Sequence, residues 1–308
     1  MKKTSALALL SDVAQNSGIP LFGRVIDGAR RRAEELSNKL RGEDFEERVE
    51  WLRRRYDALG GDPFGLDPDV AKGVVTVLSF FHRMYFRTES YGLENIPSGR
   101  ALLVANHSGQ LPIDGAIIGS SLFLDQNPPR VVRAMIEKWA VTLPFASTFF
   151  NKVGQVVGVP ENARRLLQME ELLLVFPEGV RGIAKPFSKR YQLQDFGLGF
   201  MRLAIETGTP IVPVAVVGAE EQYLNFGNLE WAAKALGIPV FPVVPQILVP
   251  GGQLPLPMKY RIYYGEPLRF GGDPEDDDVV IADKVWLVKQ TIQDMLNRAL
   301  SERKNLFY

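Results

Sequence analysis

The chain has 308 residues, 46% of them apolar, which is enough for one large or two ordinary domains with a substantial core. Lys plus Arg and Asp plus Glu both count 36, so no positive excess points to nucleic acid. Cysteine is absent, which excludes disulfides, thiolate metal sites and a cysteine nucleophile, and leaves His82 and His107 as the two imidazoles available to chemistry.

The opening Met1-Lys2-Lys3 followed by Ala6 to Leu10 has the look of a signal peptide. Asp12 interrupts its apolar run at about half the usual length, so an ordinary amphipathic start is expected. From about Arg24 to Leu59 the chain is dense in charge of both signs, with Arg30-Arg31-Arg32 and Arg53-Arg54-Arg55 set among Glu34, Glu35, Glu46, Glu47 and Glu50. Leu36, Leu40, Val49 and Leu52 supply an apolar stripe, which predicts two surface helices separated near Gly42. Their charged faces read either as solvated surface or as a cationic patch for anionic lipid. Gly60-Gly61-Asp62-Pro63 through Pro68 reads as a linker, dividing an N-terminal helical extension, residues 1–65, from a main domain, residues 66–308.

Val70 to Phe86 is expected to form an apolar helix, either in the core or in a membrane interface. Strands are then expected at Ala101 to Ala105, Val131 to Met135, Gln155 to Val159, Leu172 to Phe176, Ile211 to Val217 and Tyr260 to Tyr264. Helical patterns lie between them at Glu137 to Asn151, Asn162 to Leu172, Phe196 to Thr207 and Glu230 to Leu236. A last helix buries Val285, Val288, Ile292, Leu296 and Ala299. This alternation predicts an α/β fold with a mixed, largely parallel central sheet flanked by helices. The most apolar stretches are too short or too rich in proline for the ~20 residues that span a bilayer.

The apolar strand Arg100 to Ala105 ends directly in Asn106-His107, so the imidazole emerges at a carboxyl end, where α/β sheets place their sites. Ser108-Gly109 is a small-residue turn, Pro112 presets the next turn, and Asp114 falls in the first turn of the helical run Gly115 to Leu124. A neutral imidazole takes a proton from an alcohol only if its tautomer and orientation are fixed, and a carboxylate on the other ring nitrogen does both. A histidine donating to a carboxylate is as often structural, so the pair alone leaves both readings open. His82, inside the apolar helix with no motif around it, reads as structural.

Three ordered blocks resemble the glycerolipid acyltransferase family typified by bacterial lysophosphatidate acyltransferases. They are Asn106, His107 and Asp114; Val175-Phe176-Pro177-Glu178-Gly179-Val180-Arg181-Gly182; and Thr207-Gly208-Thr209-Pro210-Ile211-Val212-Pro213-Val214, within a resemblance spanning residues 87 to 270. The resemblance implies transfer of a fatty acyl group from acyl-coenzyme A or acyl carrier protein to a glycerolipid hydroxyl, most simply that of a lysophospholipid such as lysophosphatidate. His107 would be the general base and Asp114 its orienter. The thioester carrier is a co-substrate, and neither cofactor nor metal is implied. The partners are then the acyl donor, the lipid acceptor and a membrane surface, with the protein cytoplasmic and peripherally associated with that membrane; the oligomeric state is left open.

Glu178, Gly179 and Arg181 are expected at the same sheet edge as His107, because Leu172 to Phe176 reads as a strand ended by Pro177 and Gly179. Arg181 suits an acceptor phosphate, and Glu178 either the loop or the acceptor's hydroxyls, a local Glu–Arg pair being the plainer reading. Lys185, with Lys189 and Arg190, stands in a basic and aromatic loop suited to phosphate or to solvent. Two departures from the family pattern stand out. Six residues, rather than the commoner four, separate His107 from Asp114, as in a subgroup that includes relatives of diacylglycerol acyltransferases. Pro160 occupies the place of the second block's phosphate-binding arginine, for which Arg164 or Arg165 is the candidate substitute. Both favour diacylglycerol or a fatty alcohol as an alternative acceptor, while a non-catalytic lipid-binding protein of the same fold is the remaining alternative.

The proline-rich apolar stretch Trp231 to Met258 reads as an acyl-chain wall, a membrane-dipping element or a buried connection. No Gly-x-Ser-x-Gly elbow and no Walker loop is present, and Arg202 stands where a dinucleotide fingerprint beginning Gly197-Leu198-Gly199 needs its third glycine.

Overall fold

The computed structural model describes residue 35 and residues 38–108, 112–137, 146–237 and 239–305. Of the first of the two helices expected in the N-terminal extension only residue 35 and residues 38–41 are described, and these are helical; residues 138–145 and the turn at 109–111 lie outside the described residues.

In chain order the helices are α1 (Phe45–Asp57), α2 (Pro68–Phe80, continued by a π-helical turn Phe81–Tyr85), α3 (Ile113–Leu124), α4 (Ala146–Lys152), α5 (Pro160–Gln168), α6 (Val180–Ile183), α7 (Gly199–Thr207), α8 (Glu230–Leu236) and α9 (Asp278–Glu302). The strands are β1 (Glu89–Tyr91), β2 (Ala101–Ala105), β3 (Val132–Ile136), β4 (Val156–Val157), β5 (Leu172–Val175), β6 (Ile211–Val217) and β7 (Arg261–Tyr264). They form one seven-stranded sheet in the order β1-β7-β6-β2-β5-β3-β4. Every pairing is parallel except β6 with β7, so the expected mixed, largely parallel sheet is what forms. β1 was not expected from the sequence; its three residues are too few to set up a readable alternation.

Period-two alternation distributes the strand side chains to two cores. Leu102, Val104, Leu173, Ile211, Ala215 and Val217 pack on one face under α5, α7 and α9. Ala101, Leu103, Ala105, Leu174, Val212, Val214 and Val216 pack on the other, under Ile117, Ile118 and Leu122 of α3. Burial on both faces explains why β2 and β6 read as unbroken apolar runs.

α1 has Phe45, Val49, Leu52 and Tyr56 at helical spacing, and this stripe packs with Leu66, Phe123 and Leu124. Fully buried Arg133 ties the same region together: it pairs with Asp62, bonds the Tyr56 hydroxyl at 3.1 Å and the Gly154 carbonyl at 3.1 Å, and faces Glu171 at 3.8 Å. α2 begins where Asp67 caps Pro68, its carboxylate accepting from Asp69 N at 3.0 Å and Val70 N at 3.3 Å. Among the described residues no helix is long and apolar enough to cross a membrane.

Candidate active site

β2 lies between β6 and β5, and all three run the same way, so their carboxyl ends come to one edge of the sheet. Beyond Ala105 the chain delivers Asn106 and His107; beyond Val175 it delivers Phe176 to Glu178; beyond Val217 it delivers Gly218 to Glu221. Segments far apart in sequence become neighbours through strand order alone.

His107 Nδ1 lies 2.8 Å from Asp114 Oδ2, and since an ionised carboxylate only accepts, Nδ1 carries the proton. Asp114 is fully buried in the first turn of α3. Its Oδ2 also accepts from Ser108 N at 2.9 Å and Ser108 Oγ at 3.2 Å, and its Oδ1 from Gly115 N at 2.8 Å. The six-residue interval thus closes into a loop whose carboxylate is held by backbone and hydroxyl donors as well as by the ring. The imidazole stacks on Phe176, centroids 4.2 Å apart and planes 19° apart, and is partly exposed. With Nδ1 committed to Asp114, Nε2 is the nitrogen left to accept a proton.

Glu178 is placed beneath this pair with its side chain fully buried. One oxygen accepts from His107 N at 2.9 Å and the other from Gln194 N at 2.8 Å, so of its two expected roles it is the loop that it holds. Gly179 takes φ +55°, a left-handed conformation that lets the chain turn off β5 into α6; its contribution is that turn. Arg181, on α6, is exposed (63%) and its nearest acid, Asp195, is 3.9 Å away, so its guanidinium faces solvent at the rim.

Two expected binding residues are not available for that purpose. Lys185 is withdrawn from the surface: its Nζ lies 3.2 Å from Glu178 Oε2 and 3.1 Å from Glu220 Oε2, because the loop after α6 folds inward over the strand ends and a buried ammonium needs carboxylate partners. Arg164 is not brought to the site at all. It sits on the crossover helix α5, bonds Glu206 at 2.7 Å and shares a hollow with Arg100 and Thr207 beside the beginning of β2, the end opposite His107. Arg165 lies over the Phe64 ring, centroid distance 5.3 Å.

Three residues that the structure brings into the site were given no role from the sequence, although Asn106 and Gly182 stand within the blocks that resemble the family. Gly182 approaches so closely that a Cβ there would stand 2.9 Å from the Cβ atoms of both His107 and Glu178. The Asn106 side chain stitches β2 to β6 through Val216 N at 2.8 Å and Val216 O at 3.1 Å. Glu220, whose side chain is buried, accepts from Asn106 Nδ2 at 3.3 Å and Tyr191 N at 2.8 Å. Loss of hydration pushes the Glu220 carboxyl above its ordinary range, against the pull of Lys185 and the Tyr191 N–H. A signal for Glu220 was present: acids directly after a seven-residue apolar strand have to be accommodated at a sheet edge.

His82, by contrast, is buried away from this edge, between Asp125 Oδ2 at 2.9 Å and Ser120 Oγ at 3.1 Å. Among the described residues no group of His, Asp and Glu is arranged to hold a metal ion.

Residues 87–217, which run from before β1 to the end of β6 and include His107, Asp114 and Glu178, match the family model described as Acyltransferase. An uncharacterized protein of Mycobacterium leprae is 38% identical over 255 residues, 80% of this chain and 70% of its own length. A mouse protein described as "DGAT1/2-independent enzyme synthesizing storage lipids" is 24% identical over 230 residues, 74% of this chain and 65% of its own. Among solved structures, the 1-acyl-sn-glycerophosphate (LPA) acyltransferase PlsC of Thermotoga maritima overlaps 76% of this chain and 81% of its own at a TM-score of 0.49 and 17% identity, too loose a likeness to carry substrate or mechanism.

Proposed function

The chain belongs to the acyltransferase family, and from that premise we propose that it moves a fatty acyl group from an acyl thioester, on coenzyme A or acyl carrier protein, to a hydroxyl of a glycerolipid. The observation that carries this reading is the His107–Asp114 pair, with Nδ1 bonded at 2.8 Å and the ring partly open at the sheet edge. His107 Nε2 takes the hydroxyl proton as the oxygen attacks the thioester carbonyl. The C–S bond then breaks, and the imidazolium returns the proton to the departing thiolate. The buried Asp114 carboxylate fixes the tautomer and stabilises the transient cation.

A phosphate-bearing acceptor such as lysophosphatidate is supported by Arg181, whose exposed guanidinium is one residue from Gly182 and so from the His107 loop. Two observations favour a second reading, with a neutral acceptor such as diacylglycerol or a fatty alcohol. Arg164 and Lys185 are both engaged elsewhere, and relatives named as storage-lipid enzymes match most of the chain.

Reaction at a membrane surface is supported by the exposed apolar side chains Val77, Phe80 and Met84, which recur at helical spacing along α2 and its π turn. Leu248 (84% exposed), Val249 and Leu254 continue the surface. The two segments are joined where the Tyr85 hydroxyl bonds the Pro255 carbonyl at 2.6 Å and Arg87 bonds the Pro257 carbonyl at 2.7 Å. An apolar patch of this kind suits an interface with lipid.

The test is release of free thiol by the purified protein from palmitoyl-coenzyme A in the presence of lysophosphatidate, diacylglycerol or a fatty alcohol on vesicles. His107→Ala is expected to lower the rate by about 10²–10⁴-fold. Full activity in that variant would refute the base assignment, and no thiol release with any acceptor, from coenzyme A or carrier-protein thioester, would refute acyl transfer. Arg181→Gln separates the acceptors, raising KM for lysophosphatidate alone if the phosphate is bound there. Leu248→Asp combined with Phe80→Asp is expected to reduce vesicle binding; unaltered binding would refute the apolar rim as the lipid contact.

A further inference from the structure

We propose that Lys185 and Glu220 are positioning residues for the His107 base, acting through Glu178 and Asn106 to hold the two main-chain units from which the imidazole hangs. The inference rests on the reading of His107 as the proton acceptor. Lys185, Glu178 and Glu220 are all buried, and a buried ion cluster is rarely more stable than well-packed apolar residues of the same volume. Its bonds, however, converge on one place. Glu178 reaches up to His107 N at 2.9 Å, and Glu220 reaches Asn106 Nδ2 at 3.3 Å, so residues 106 and 107 are gripped from the ends of β6 and β5 respectively. Lys185 is the brace between the two grips, with Nζ 3.2 Å from one carboxylate and 3.1 Å from the other.

Gly182 completes the arrangement, since its bare Cα lets the loop carrying Lys185 lie directly on the Cβ atoms of His107 and Glu178. A shift in any grip is therefore transmitted to the ring.

Removing the ammonium leaves two carboxylates buried side by side, which at ordinary pH share a proton and separate when both ionise. The groups facing them are the Tyr191 phenol, His107 with Asp114, and Glu221 with its partners Arg303 at 2.6 Å and Arg190 at 3.8 Å. None of these takes the place of Lys185 between the two acids. Lys185→Met should thus move an ionisation of the pair to higher pH than in the native enzyme, adding an alkaline limb along which kcat falls.

The experiment measures kcat, KM for palmitoyl-coenzyme A and the pH profile of thiol release for Lys185→Met, Glu220→Gln and the double variant, with His107→Ala alongside. For Lys185→Met the expectation is a kcat lowered by roughly 10- to 100-fold, as for a misplaced catalytic group, an unchanged KM, and the added limb on the alkaline side. In the double variant, which removes the uncompensated charge, the limb disappears and part of kcat returns. A Lys185→Met enzyme with native kcat across the pH range overturns the inference. So does a loss that is uniform with pH and not relieved by Glu220→Gln, because Lys185 would then be merely structural. Should Lys185→Met fail to fold, Lys185→Arg takes its place: its longer fork keeps the charge but spreads the carboxylates, so kcat falls with no new ionisation, and a native kcat refutes the brace. Full activity in His107→Ala would defeat the base assignment itself, whereas an inactive His107→Ala beside a native-like Lys185 variant defeats only the positioning.

Discussion

Asp114→Asn tests how the imidazole is held, and the donors around the carboxylate set the expected outcome. Three donors converge on Oδ2, namely His107 Nδ1, Ser108 N and Ser108 Oγ, whereas Oδ1 meets Gly115 N alone. An asparagine has one acceptor oxygen to offer. Placing it at the Oδ2 position preserves three bonds and sets one amide N–H against Gly115 N; the reverse breaks three to save one. The variant is therefore expected to keep the oxygen toward the ring and with it the proton on Nδ1. What is lost is the negative charge facing the imidazolium as it forms.

A charge-assisted hydrogen bond exceeds a neutral one by about 1–2 kcal/mol. The full Coulomb attraction of unit charges ~4 Å apart at an effective dielectric near 20 is about 4 kcal/mol. These limits bracket a loss in kcat of roughly 10- to 10³-fold, less than the ~10⁴-fold that follows when the analogous change in a serine protease inverts the tautomer. Thiol-release kinetics give kcat, and ¹⁵N spectra of the imidazoles give the tautomer; with two histidines in the chain, the His107→Ala spectrum assigns the signals by subtraction. A neutral ring protonated on Nε2, or a loss of 10⁴-fold or more, would refute the orientation argued from the donors. Native kcat would show that the charge of Asp114 does no work in the reaction.

Gly182→Ala inserts a methyl 2.9 Å from two Cβ atoms, of His107 and Glu178, and 3.3 Å from the His107 carbonyl; it is expected to destabilise by about 1–3 kcal/mol and to lower kcat by more than stability alone explains, measured by thermal unfolding beside kinetics. Arg164→Ala should leave kcat and KM within about twofold of native, as for an exposed ion pair remote from the reaction, and a large rise in KM for lysophosphatidate would contradict its placement. Burial raises the Glu220 carboxyl above its ordinary value of 4.5 despite the pull of Lys185. The native state then binds that proton more tightly than the unfolded chain, so this group favours folding at low pH and its contribution is lost as pH rises from about 4.5 through the raised value. Glu220→Gln should flatten that part of the Tm-against-pH curve; an unchanged slope would refute it. Arg133→Met leaves the buried Asp62 carboxylate without its cation, while Glu171 keeps Arg55 at 3.2 Å, and is expected to cost about 3–5 kcal/mol, read as a fall in the denaturant midpoint.

The parts of the site that the sequence disclosed are those whose partners are close along the chain. His107 and Asp114 lie on either side of one turn, so the end of a strand and the start of a helix bring them together. Glu178 could be read to the same edge because a run of apolar residues followed by Pro177 and Gly179 announces where β5 stops. Lys185 is different: from its neighbours Pro186 and Phe187 it reads as a loop residue open to phosphate or to solvent, and only the β6-β2-β5 order, which puts Glu220 and Glu178 on either side of it, turns it inward. Pairwise spacing along the chain carries no information about strand order, so the brace was not visible from it.

Arg164 fails for a related reason that bears on the acceptor. α5 links β4 to β5, which run parallel, so the helix must carry the chain back from the carboxyl to the amino edge of the sheet. At 1.5 Å per residue, each position past its first residues moves a side chain further from His107. A substitute for the arginine that the resemblance leads one to expect at Pro160 therefore cannot be found by stepping along α5; it has to come from a segment that starts where a strand ends. Arg181 meets that condition, and whether Arg181→Gln discriminates between lysophosphatidate and diacylglycerol decides the charge of the acceptor more directly than any substitution on the crossover helix.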